Sequence, residues 1–354
     1  MSTLFIQLMI FSKTLTHWYS NNKRNLPWRE TKAPYYIWLS EIILQQTQVK
    51  QGLPYYEAFV KEFPSVFHLA KADESKVLKL WQGLGYYSRA RNLHTTAKYV
   101  VSELNGVFPN NYKALLKLKG VGDYTASAIA SICFNEATAV VDGNVYRVLS
   151  RYFGIDTPIN SSKGAKEFKV LAQELIDKKN PAEFNQAIME FGATHCKPKN
   201  PYCHICSFKN GCIAFNKNRI HELPVKIKSA KAKKKYFNFL VFISKDEKTI
   251  LEKRKGKGIW QNLYQFPLLE TEKNIDLKEL KLLVKEHDLL EDISFEIIPY
   301  TNDVIVHKLS HQHLYTKFWI VNVDKLSGKS ISIKDIHNFP VPILVGDFID
   351  AFNF

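Results

Sequence analysis

Four of the five cysteines in this chain lie within 17 residues, and this crowding constrains the fold more than any other feature of the sequence. Cys196, Cys203, Cys206 and Cys212 follow the spacing C-x6-C-x2-C-x5-C. Five cysteines in 354 residues are too few for a disulfide scaffold, so the cluster indicates a metal site in an intracellular protein. Zinc and iron–sulfur clusters are both held by four thiolates. Zinc ribbons usually carry two C-x2–4-C pairs, whereas here there is one.

The charge balance favours a polyanionic partner. Lys and Arg together number 49 and Asp and Glu 34, which gives a net charge of +15. Nucleic acid or an acidic membrane surface fits that surplus. A membrane span is excluded, since no apolar run approaches the roughly 20 residues that a bilayer requires. The apolar run 4–11 has no basic residue before it and no cleavage site, so it indicates a helix and a cytoplasmic protein.

Changes in composition and apolar spacing along the sequence predict two domains joined by a basic linker. Residues 1–215 show apolar residues at helical spacing, which predicts an all-α domain. Residues 216–235 form a linker rich in Lys and Arg, and such a segment is compatible with a phosphate backbone as well as with solvent. Residues 236–354 predict a small α+β domain.

Within this third segment, individual elements follow from local patterns. We predict strands over 236–244, 249–254, 294–299 and 315–323. The run Asp276-Leu277-Lys278-Glu279 is a capping box, which predicts a helix that begins there and continues to Leu290.

A glycine-containing turn at residues 118–126 predicts a helical hairpin. Gly120 and Gly122 permit a tight turn with exposed backbone N–H groups, and Asp123 is the expected N-cap of the next helix. Such a turn makes a sequence-independent phosphate site, although a plain αα-hairpin has the same pattern. Further along, Asp142 precedes Gly143, where its simplest role is to cap another helix.

Three motifs in this order resemble the endonuclease III superfamily of DNA glycosylases. They are the hairpin, the V-D-G-N-V-x-R-V run around Asp142, and the cysteine loop at 196–212. The resemblance implies a helix-hairpin-helix glycosylase domain whose four cysteines hold a [4Fe–4S] cluster. It also implies that Asp142 stabilises the positive charge that develops on the deoxyribose during base removal.

Further runs closely resemble the adenine DNA glycosylase (MutY) family. They are Leu26-Pro27-Trp28-Arg29, the segment 38–49 and the segment 81–93. This resemblance implies base-excision repair by a monofunctional glycosylase, which hydrolyses the N-glycosidic bond of adenine mispaired with 8-oxoguanine or guanine in double-stranded DNA. In a bacterium such a protein is nucleoid-associated when it acts on DNA, and we expect a monomer.

Glu41 is the expected general acid. It stands among Trp38, Leu39, Ile42 and Ile43, and apolar surroundings raise the pKa of a carboxyl group. A protonated Glu41 donates to N7 of the purine while the carboxylate of Asp142 supports the sugar cation. An exposed helical glutamate is the alternative reading of this position.

Tyr124 separates two branches of the superfamily. Relatives with lyase activity carry a lysine there, whose amine attacks C1′. A phenol forms no Schiff base, so the resemblance implies that water completes the hydrolysis. Tyr124 and Asn144 are then expected to orient Asp142 and the sugar.

The family pattern also assigns residues that contact the DNA. Trp28, Arg29 and Gln186 are expected to line the pocket for the flipped adenine. Gln46 and Tyr86 are expected to wedge into the duplex where the pair opens, because extrusion of a base costs a few kcal/mol. Tyr86 also has the simpler reading of a core residue beside Tyr87.

The C-terminal segment resembles the MutT-like (Nudix-fold) domain of the same family. Residues 258–267 match its G-I-W run, but the expected helix carries only Glu279 and Glu286 of the carboxylate array that binds Mg²⁺. We therefore expect no nucleotide hydrolysis. Ser310 and His311 match the loop that reads 8-oxoguanine, with Leu309 in place of the family's aromatic residue. An ordinary strand-edge pair is the alternative.

Two other functions remain open on the sequence. One is a bifunctional endonuclease III-like glycosylase/lyase, which Tyr124 and the extra C-terminal domain disfavour. The other is a non-catalytic iron–sulfur DNA-binding protein, which the retention of both Glu41 and Asp142 disfavours.

Overall fold

The computed structural model describes residues 3–228, 231–284, 294–326, 329–352 and 354. The chain divides into two compact units, and each consists of two segments. Unit 1 comprises Met1–Lys71 and Asn92–Lys228, and unit 2 comprises Ala72–Arg91 and Ser229–Phe354. The predicted domain bounds at residues 215 and 236 stay a prediction.

The N-terminal two thirds of the chain are helical, as predicted. In chain order the α-helices are α1 (Thr3–Asn22), α2 (Pro34–Leu44), α3 (Val49–Glu62), α4 (Val66–Lys71), α5 (Glu74–Leu80), α6 (Ser88–Leu104), α7 (Tyr112–Leu115), α8 (Asp123–Phe134), α9 (Gly143–Phe153), α10 (Ser162–Leu175), α11 (Pro181–Thr194) and α12 (Ile213–Asn216). Short 3₁₀ helices cover Pro27–Arg29, Cys203–Ile205 and Lys209–Gly211.

Helix α8 lies at the centre of unit 1. Its residues 126 and 128–130 are fully buried, because its small and apolar side chains allow neighbours to pack around it. Helices α2, α7 and α11 pack against it, and α11 also contacts α1 and α9. This packing brings the end of α2 and the start of α9 close to the N-terminus of α8.

The two predicted N-caps have different outcomes. Asp142 caps α9, since its Oδ1 accepts hydrogen bonds from the backbone N–H of Asn144 at 2.9 Å and of Val145 at 2.8 Å. The prediction for Asp123 is wrong, because Gly122 is the N-cap of α8 and Asp123 is its first residue. The Asp123 carboxylate instead accepts from the Tyr112 hydroxyl and, at 2.9 Å, from the Lys169 ammonium.

Unit 2 is an α+β fold, as predicted. Its strands are β1 (Lys233–Ser244), β2 (Lys248–Thr249), β3 (Glu252–Lys253), β4 (Tyr264–Gln265), β5 (Leu268–Thr271), β6 (Phe295–Pro299), β7 (Ile305–Lys308), β8 (Gln312–Val323) and β9 (Ile331–Ser332), with helices α13 (Leu277–Val284) and α14 (Ile343–Phe352). In the described residues the main sheet has the order β5-β1-β8-β6, and β7 also pairs with β8. Strands β1 and β8 are parallel, and the other pairs are antiparallel.

Two local predictions for unit 2 are settled by the structure. The single strand predicted over 249–254 is wrong, because β2 and β3 are separate strands that pair with β9 and β4. The capping box is confirmed: the Glu279 N–H donates to Asp276 Oδ1 at 2.8 Å, and the Asp276 N–H donates to a Glu279 oxygen at 3.1 Å. The predicted extension to Leu290 lies outside the described residues.

The main sheet is covered on both faces. Helix α13 packs with Leu240, Phe242 and Trp319 on one face. On the other face, the ring of Phe348 from α14 stacks on Phe318 with centroids 4.0 Å apart. Among the helices of the described residues, none has the length and apolar character needed to cross a bilayer.

Candidate active site

A cavity of about 1210 Å³ in unit 1 gathers predicted site residues from distant parts of the sequence. Its lining comes from the end of α2 and the residues after it, and from the first turns of α8 and α9. The predicted residues in this lining are Glu41, Gln46, Gly122, Tyr124, Asp142 and Asn144. The proposed acid and the proposed anion therefore face the same space.

Glu41 is buried, with a fractional exposure of 8%. Burial raises its pKa to about 7, and the nearby charge of Asp142 also raises it. A hydrogen bond from Tyr124 and the charge of Arg29 act in the opposite direction. The exposed-glutamate alternative is therefore wrong, and near neutral pH the side chain is divided between its acid and carboxylate forms.

Asp142 is held by three donors. In addition to the two backbone N–H groups of α9, the Asn144 side-chain amide donates to Oδ2 at 2.8 Å. Burial raises the pKa of this carboxyl, while these hydrogen bonds and Arg147 favour the charged form. Asn144 is fixed in turn, since the Arg147 guanidinium donates to its Oδ1 at 2.8 Å.

The Tyr124 hydroxyl, from the first turn of α8, contacts side chains of α2 and α11. It hydrogen-bonds with Glu41 and lies 3.1 Å from the sulfur of Met189 in α11. Burial and the charges of Glu41 and Asp142 raise the pKa of this phenol well above its usual range. Tyr124 therefore stays protonated and donates its proton in a hydrogen bond.

Arg29 is anchored by a buried glutamate that the sequence did not single out. The guanidinium of Arg29 donates to Glu190 at 2.7 Å, and Arg24 donates to the same carboxylate at 2.7 and 2.8 Å. Although burial alone would raise the pKa of Glu190, the hydrogen bonds from both arginines hold it at about 2. Glu190 is therefore an anion that fixes Arg29.

Gln186 and Trp28 also have partners outside the cavity. The Tyr19 hydroxyl donates to Gln186 Oε1 at 2.8 Å, and Trp28 is buried edge-on against Tyr56. Within the described residues, Trp28, Arg29 and Gln186 do not belong to the lining of the large cavity. The site roles of Trp28, Arg29 and Gln186 were predicted from the resemblance to the family. For Glu190, the available signal was its position four residues after Gln186, on the same face of α11.

The two predicted wedge residues have unusual backbone conformations. Gln46 has φ +56° and Tyr86 has φ +46°, both in the left-handed region that non-glycine residues rarely adopt. Gln46 lines the cavity in unit 1. Tyr86 belongs to unit 2 and is 46% exposed, so its reading as a core residue is wrong.

In unit 2, Tyr86 meets the predicted lesion-reading turn. Its hydroxyl lies 2.6 Å from Ser310 Oγ. The turn connects β7 to β8, and backbone hydrogen bonds fix it: Lys233 N–H donates to His311 O at 3.0 Å, and Leu309 N–H donates to Gln312 O at 2.9 Å. Ser310 and His311 are both exposed at the tip.

The hairpin between α7 and α8 needs glycine at one of its two positions. Gly120 has φ +81°, and a Cβ there would lie 2.8 Å from Cβ of Asn92. Gly122 is extended, and a Cβ there would meet nothing within 4 Å. Gly120 therefore shapes the turn, whereas Gly122 leaves the backbone at the start of α8 open toward the cavity.

The four clustered cysteines line a second, smaller cavity in unit 1. Arg151 Nη1 lies 3.5 Å from Cys196 Sγ, and the Phe208 N–H donates to Cys206 Sγ at 3.4 Å. Among the described residues, none of the four is paired in a disulfide. In the described part of the chain, no group of three or more His, Cys, Asp or Glu side chains has an arrangement that could hold a metal ion.

Comparison with known proteins identifies the family. Residues 39–175 match the profile of the HhH-GPD superfamily of base excision DNA repair proteins, and residues 238–351 match the NUDIX domain. An adenine DNA glycosylase of Buchnera aphidicola subsp. Baizongia pistaciae is 38% identical over 344 residues, which cover 96% of this chain and 93% of the relative. The chain belongs to the adenine DNA glycosylase family.

Two solved structures resemble the helical part of this glycosylase. A thermostable thymine-DNA glycosylase is 32% identical with a TM-score of 0.55, and the match covers 59% of this chain and 96% of that one. An endonuclease III–DNA complex is 20% identical with a TM-score of 0.54, covering 62% and 99%, and shares the fold. The predicted resemblances are confirmed: this glycosylase is a base-excision repair enzyme, and its partner is DNA.

Proposed function

We propose that this glycosylase hydrolyses the N-glycosidic bond of adenine paired with 8-oxoguanine or guanine in double-stranded DNA. The observation that carries the proposal is the convergence of Glu41, with a pKa of about 7, and Asp142 on one cavity. Departure of a purine requires an acid for the base and an anion for the sugar, and these two side chains supply both.

The reaction needs only the protein and water. Glu41 transfers its proton to N7, and the C1′–N9 bond breaks with its electron pair going to the adenine. The Asp142 carboxylate stabilises the resulting oxocarbenium ion, while Asn144 and Tyr124 hold the two carboxyl groups in position. Water then adds to C1′ and returns a proton to Glu41. Since position 124 carries a phenol, the strand is left intact.

Recognition of the adenine is assigned to residues around Arg29. Trp28, Arg29 and Gln186 contact the flipped base, and Gln46 and Tyr86 occupy the opened stack. The hydrogen bonds from Tyr19 to Gln186 and from Arg29 to Glu190 support this assignment, because they fix the polar groups that would read the base.

In this proposal the hairpin and the cysteine loop bind the DNA. Gly120 and Gly122 present backbone N–H groups to a phosphate. Cys196, Cys203, Cys206 and Cys212 hold a [4Fe–4S] cluster, which orders the loop of residues 196–212. Although the described residues form no ready metal site, four thiols share one cavity and N–H groups are directed at the sulfurs of Cys196 and Cys206. Both observations support such a group, because hydrogen bonds to sulfur are a regular feature of iron–sulfur sites.

The C-terminal part reads the lesion in the proposed division of labour. Ser310 and His311 hydrogen-bond with 8-oxoguanine from the tip of the β7–β8 turn. Three further predictions belong with this function. They are the domain bounds 1–215, 216–235 and 236–354, a monomeric state and a cytoplasmic location.

Excision assays on defined duplexes test the proposal. Duplexes with A:8-oxoguanine, A:guanine and T:guanine are incubated with the protein, and strand breaks are measured with and without alkali. We expect breaks at adenine only after alkali. Breaks without alkali indicate a lyase, thymine excision indicates the activity named for the solved relative, and no breaks indicate a binding protein.

A pair of variants tests the assignment of the acid. Glu41→Gln should lower the single-turnover rate by at least about 10²-fold, since a positioned acid contributes roughly 10²–10⁴-fold, and should leave DNA binding nearly intact. The exposed Glu57 in α3 provides the control, because Glu57→Gln makes the same change outside the cavity lining. A Glu41→Gln rate above about a tenth of wild type would contradict the assignment.

A further inference from the structure

A row of basic side chains crosses one face of the main sheet in unit 2. Lys308 of β7 is paired with His313 of β8, and His313 is paired with Lys234 of β1. Residues paired in register lie on the same face of a sheet, so these three side chains form one continuous row. We call Lys308, His313 and Lys234 the basic row.

The basic row lies directly beside the lesion-reading turn. Lys308 precedes Ser310 by two residues, and His313 follows His311 by two residues. The hydrogen bond from Lys233 N–H to His311 O ties the β1 end of the row to the same turn. The fold therefore fixes the row relative to Ser310 and His311 through backbone contacts.

A pair of aromatic residues lies beside the basic row on the same face of the sheet. The rings of Tyr236 and Tyr315, which follow on the same face, are stacked with centroids 5.2 Å apart. The Lys234 ammonium lies 5.7 Å from the centroid of Tyr315. By contrast, Lys235 points to the opposite face, where its ammonium pairs with Glu270 at 2.9 Å.

The folded protein alone gives no reason for this row. Like charges directly opposite each other on neighbouring strands destabilise a sheet. Lys234 and Lys308 avoid this direct opposition, because they are two strands apart, or roughly 10 Å, with His313 between them. Both lysines are exposed. Over roughly 10 Å of helix axis, one strand of B-form DNA carries about three phosphates, so the two lysines of the row can each contact a phosphate of the same strand.

We propose that the basic row binds the phosphodiester backbone of the strand that carries 8-oxoguanine, next to the lesion read by Ser310 and His311. The identity of that strand rests on the proposed function. Since phosphate contacts position a protein without reading sequence, the row contributes affinity for every duplex, and the turn contributes the discrimination.

The test is the salt dependence of binding by the full-length protein. The probe is a duplex with 2′-fluoro-2′-deoxyadenosine opposite 8-oxoguanine, whose glycosidic bond resists cleavage. Each lost phosphate contact lowers the slope of log K against log salt by about 0.9, which is about eightfold in affinity at 0.1 M salt. Lys234→Gln with Lys308→Gln should therefore lower the slope by about 1.8 and the affinity by roughly ten- to sixtyfold.

Two matched variants separate the row from general charge and from packing. Lys245→Gln with Lys325→Gln removes the same charge at exposed positions after the other ends of β1 and β8, and should keep nearly the wild-type slope. Lys234→Arg with Lys308→Arg keeps the charge and should keep the slope as well. An unchanged slope in the glutamine variant, an equal loss in the Lys245/Lys325 control, or a loss in the arginine variant would each overturn the proposal.

The same data distinguish failure of the row from failure of the proposed function. The glutamine variant should keep the wild-type ratio of affinities for A:8-oxoguanine and A:guanine duplexes. If Ser310→Ala with His311→Ala leaves that ratio unchanged, the turn does not read the lesion, but the salt slope still reports on the row.

Discussion

The raised pKa of Glu41 makes the pH dependence of excision the sharpest test of the active site. At a pKa of about 7, about half of Glu41 is protonated at pH 7 and about a tenth at pH 8. With the ordinary value of 4.5, about 0.3% would be protonated at pH 7. Burial therefore raises the population of the acid form roughly 150-fold at neutral pH.

We expect the single-turnover rate of excision to level off near pH 6 and to fall about tenfold per pH unit above about pH 8. At lower pH the rate should fall again, because protonation of Asp142, whose pKa is raised by burial, removes the anion. The sign of the alkaline decline follows from the proposed role of Glu41 as the acid, because the acid form is lost as pH rises through the pKa. Rates are measured on the A:8-oxoguanine duplex with protein in excess, so that neither product release nor weaker binding limits them.

Tyr124→Phe should shift this profile in a defined direction. The Tyr124 hydroxyl donates to Glu41 and lowers its pKa. Its removal should raise the pKa, so the midpoint of the alkaline decline moves to higher pH even if the maximal rate falls. Tyr99→Phe removes a hydroxyl from an exposed tyrosine of α6 and should leave the midpoint in place. A profile that is flat from pH 6 to 9, or a midpoint that moves down in Tyr124→Phe, would refute the reasoning.

Three further substitutions test the remaining roles. Asp142→Asn should keep the N-cap of α9, because the amide oxygen still accepts from the backbone, so the free energy of unfolding should change by less than about 1 kcal/mol. The excision rate should fall by several orders of magnitude, because the anion is lost. A rate within about tenfold of wild type would leave Asp142 with its capping role alone. Cys203→Ser should lose iron and weaken DNA binding more than the excision rate of bound substrate, as measured by iron content and titration; stoichiometric zinc in anaerobically purified wild type would contradict the cluster. Ser310→Ala with His311→Ala should remove part of about 1–3 kcal/mol of discrimination between A:8-oxoguanine and A:guanine at fixed salt, and an unchanged ratio would contradict lesion reading by the turn.

The sequence predicted the features that depend on local patterns. The cap at Asp142, the hairpin around Gly120 and the capping box at Asp276 are each written in a few consecutive residues. The burial of Glu41 followed from its immediate apolar neighbours. In each case the interaction spans one helical turn or less, so a short run of residues carries the information.

Features that depend on long-range packing were missed. Glu190 fixes Arg29 across 161 positions. Residues 72–91 belong to unit 2, where Asn262 donates to Glu74 at 2.7 Å and the Tyr87 hydroxyl donates to Val341 O at 3.3 Å. Truncation at the linker would remove these partners, so point substitutions in the turn isolate lesion reading better than deletion of the C-terminal half.

The left-handed conformations of Gln46 and Tyr86 have a consequence for the thermodynamics of association. A non-glycine residue held in this region costs of order 1–3 kcal/mol, and the surrounding fold must supply it. The entropy of fixing these two turns is thus lost when the chain folds and not when DNA arrives. In their proposed role as wedges, Gln46 and Tyr86 would each meet an opened base pair with a backbone already ordered, so part of the folding free energy would contribute to affinity for the DNA.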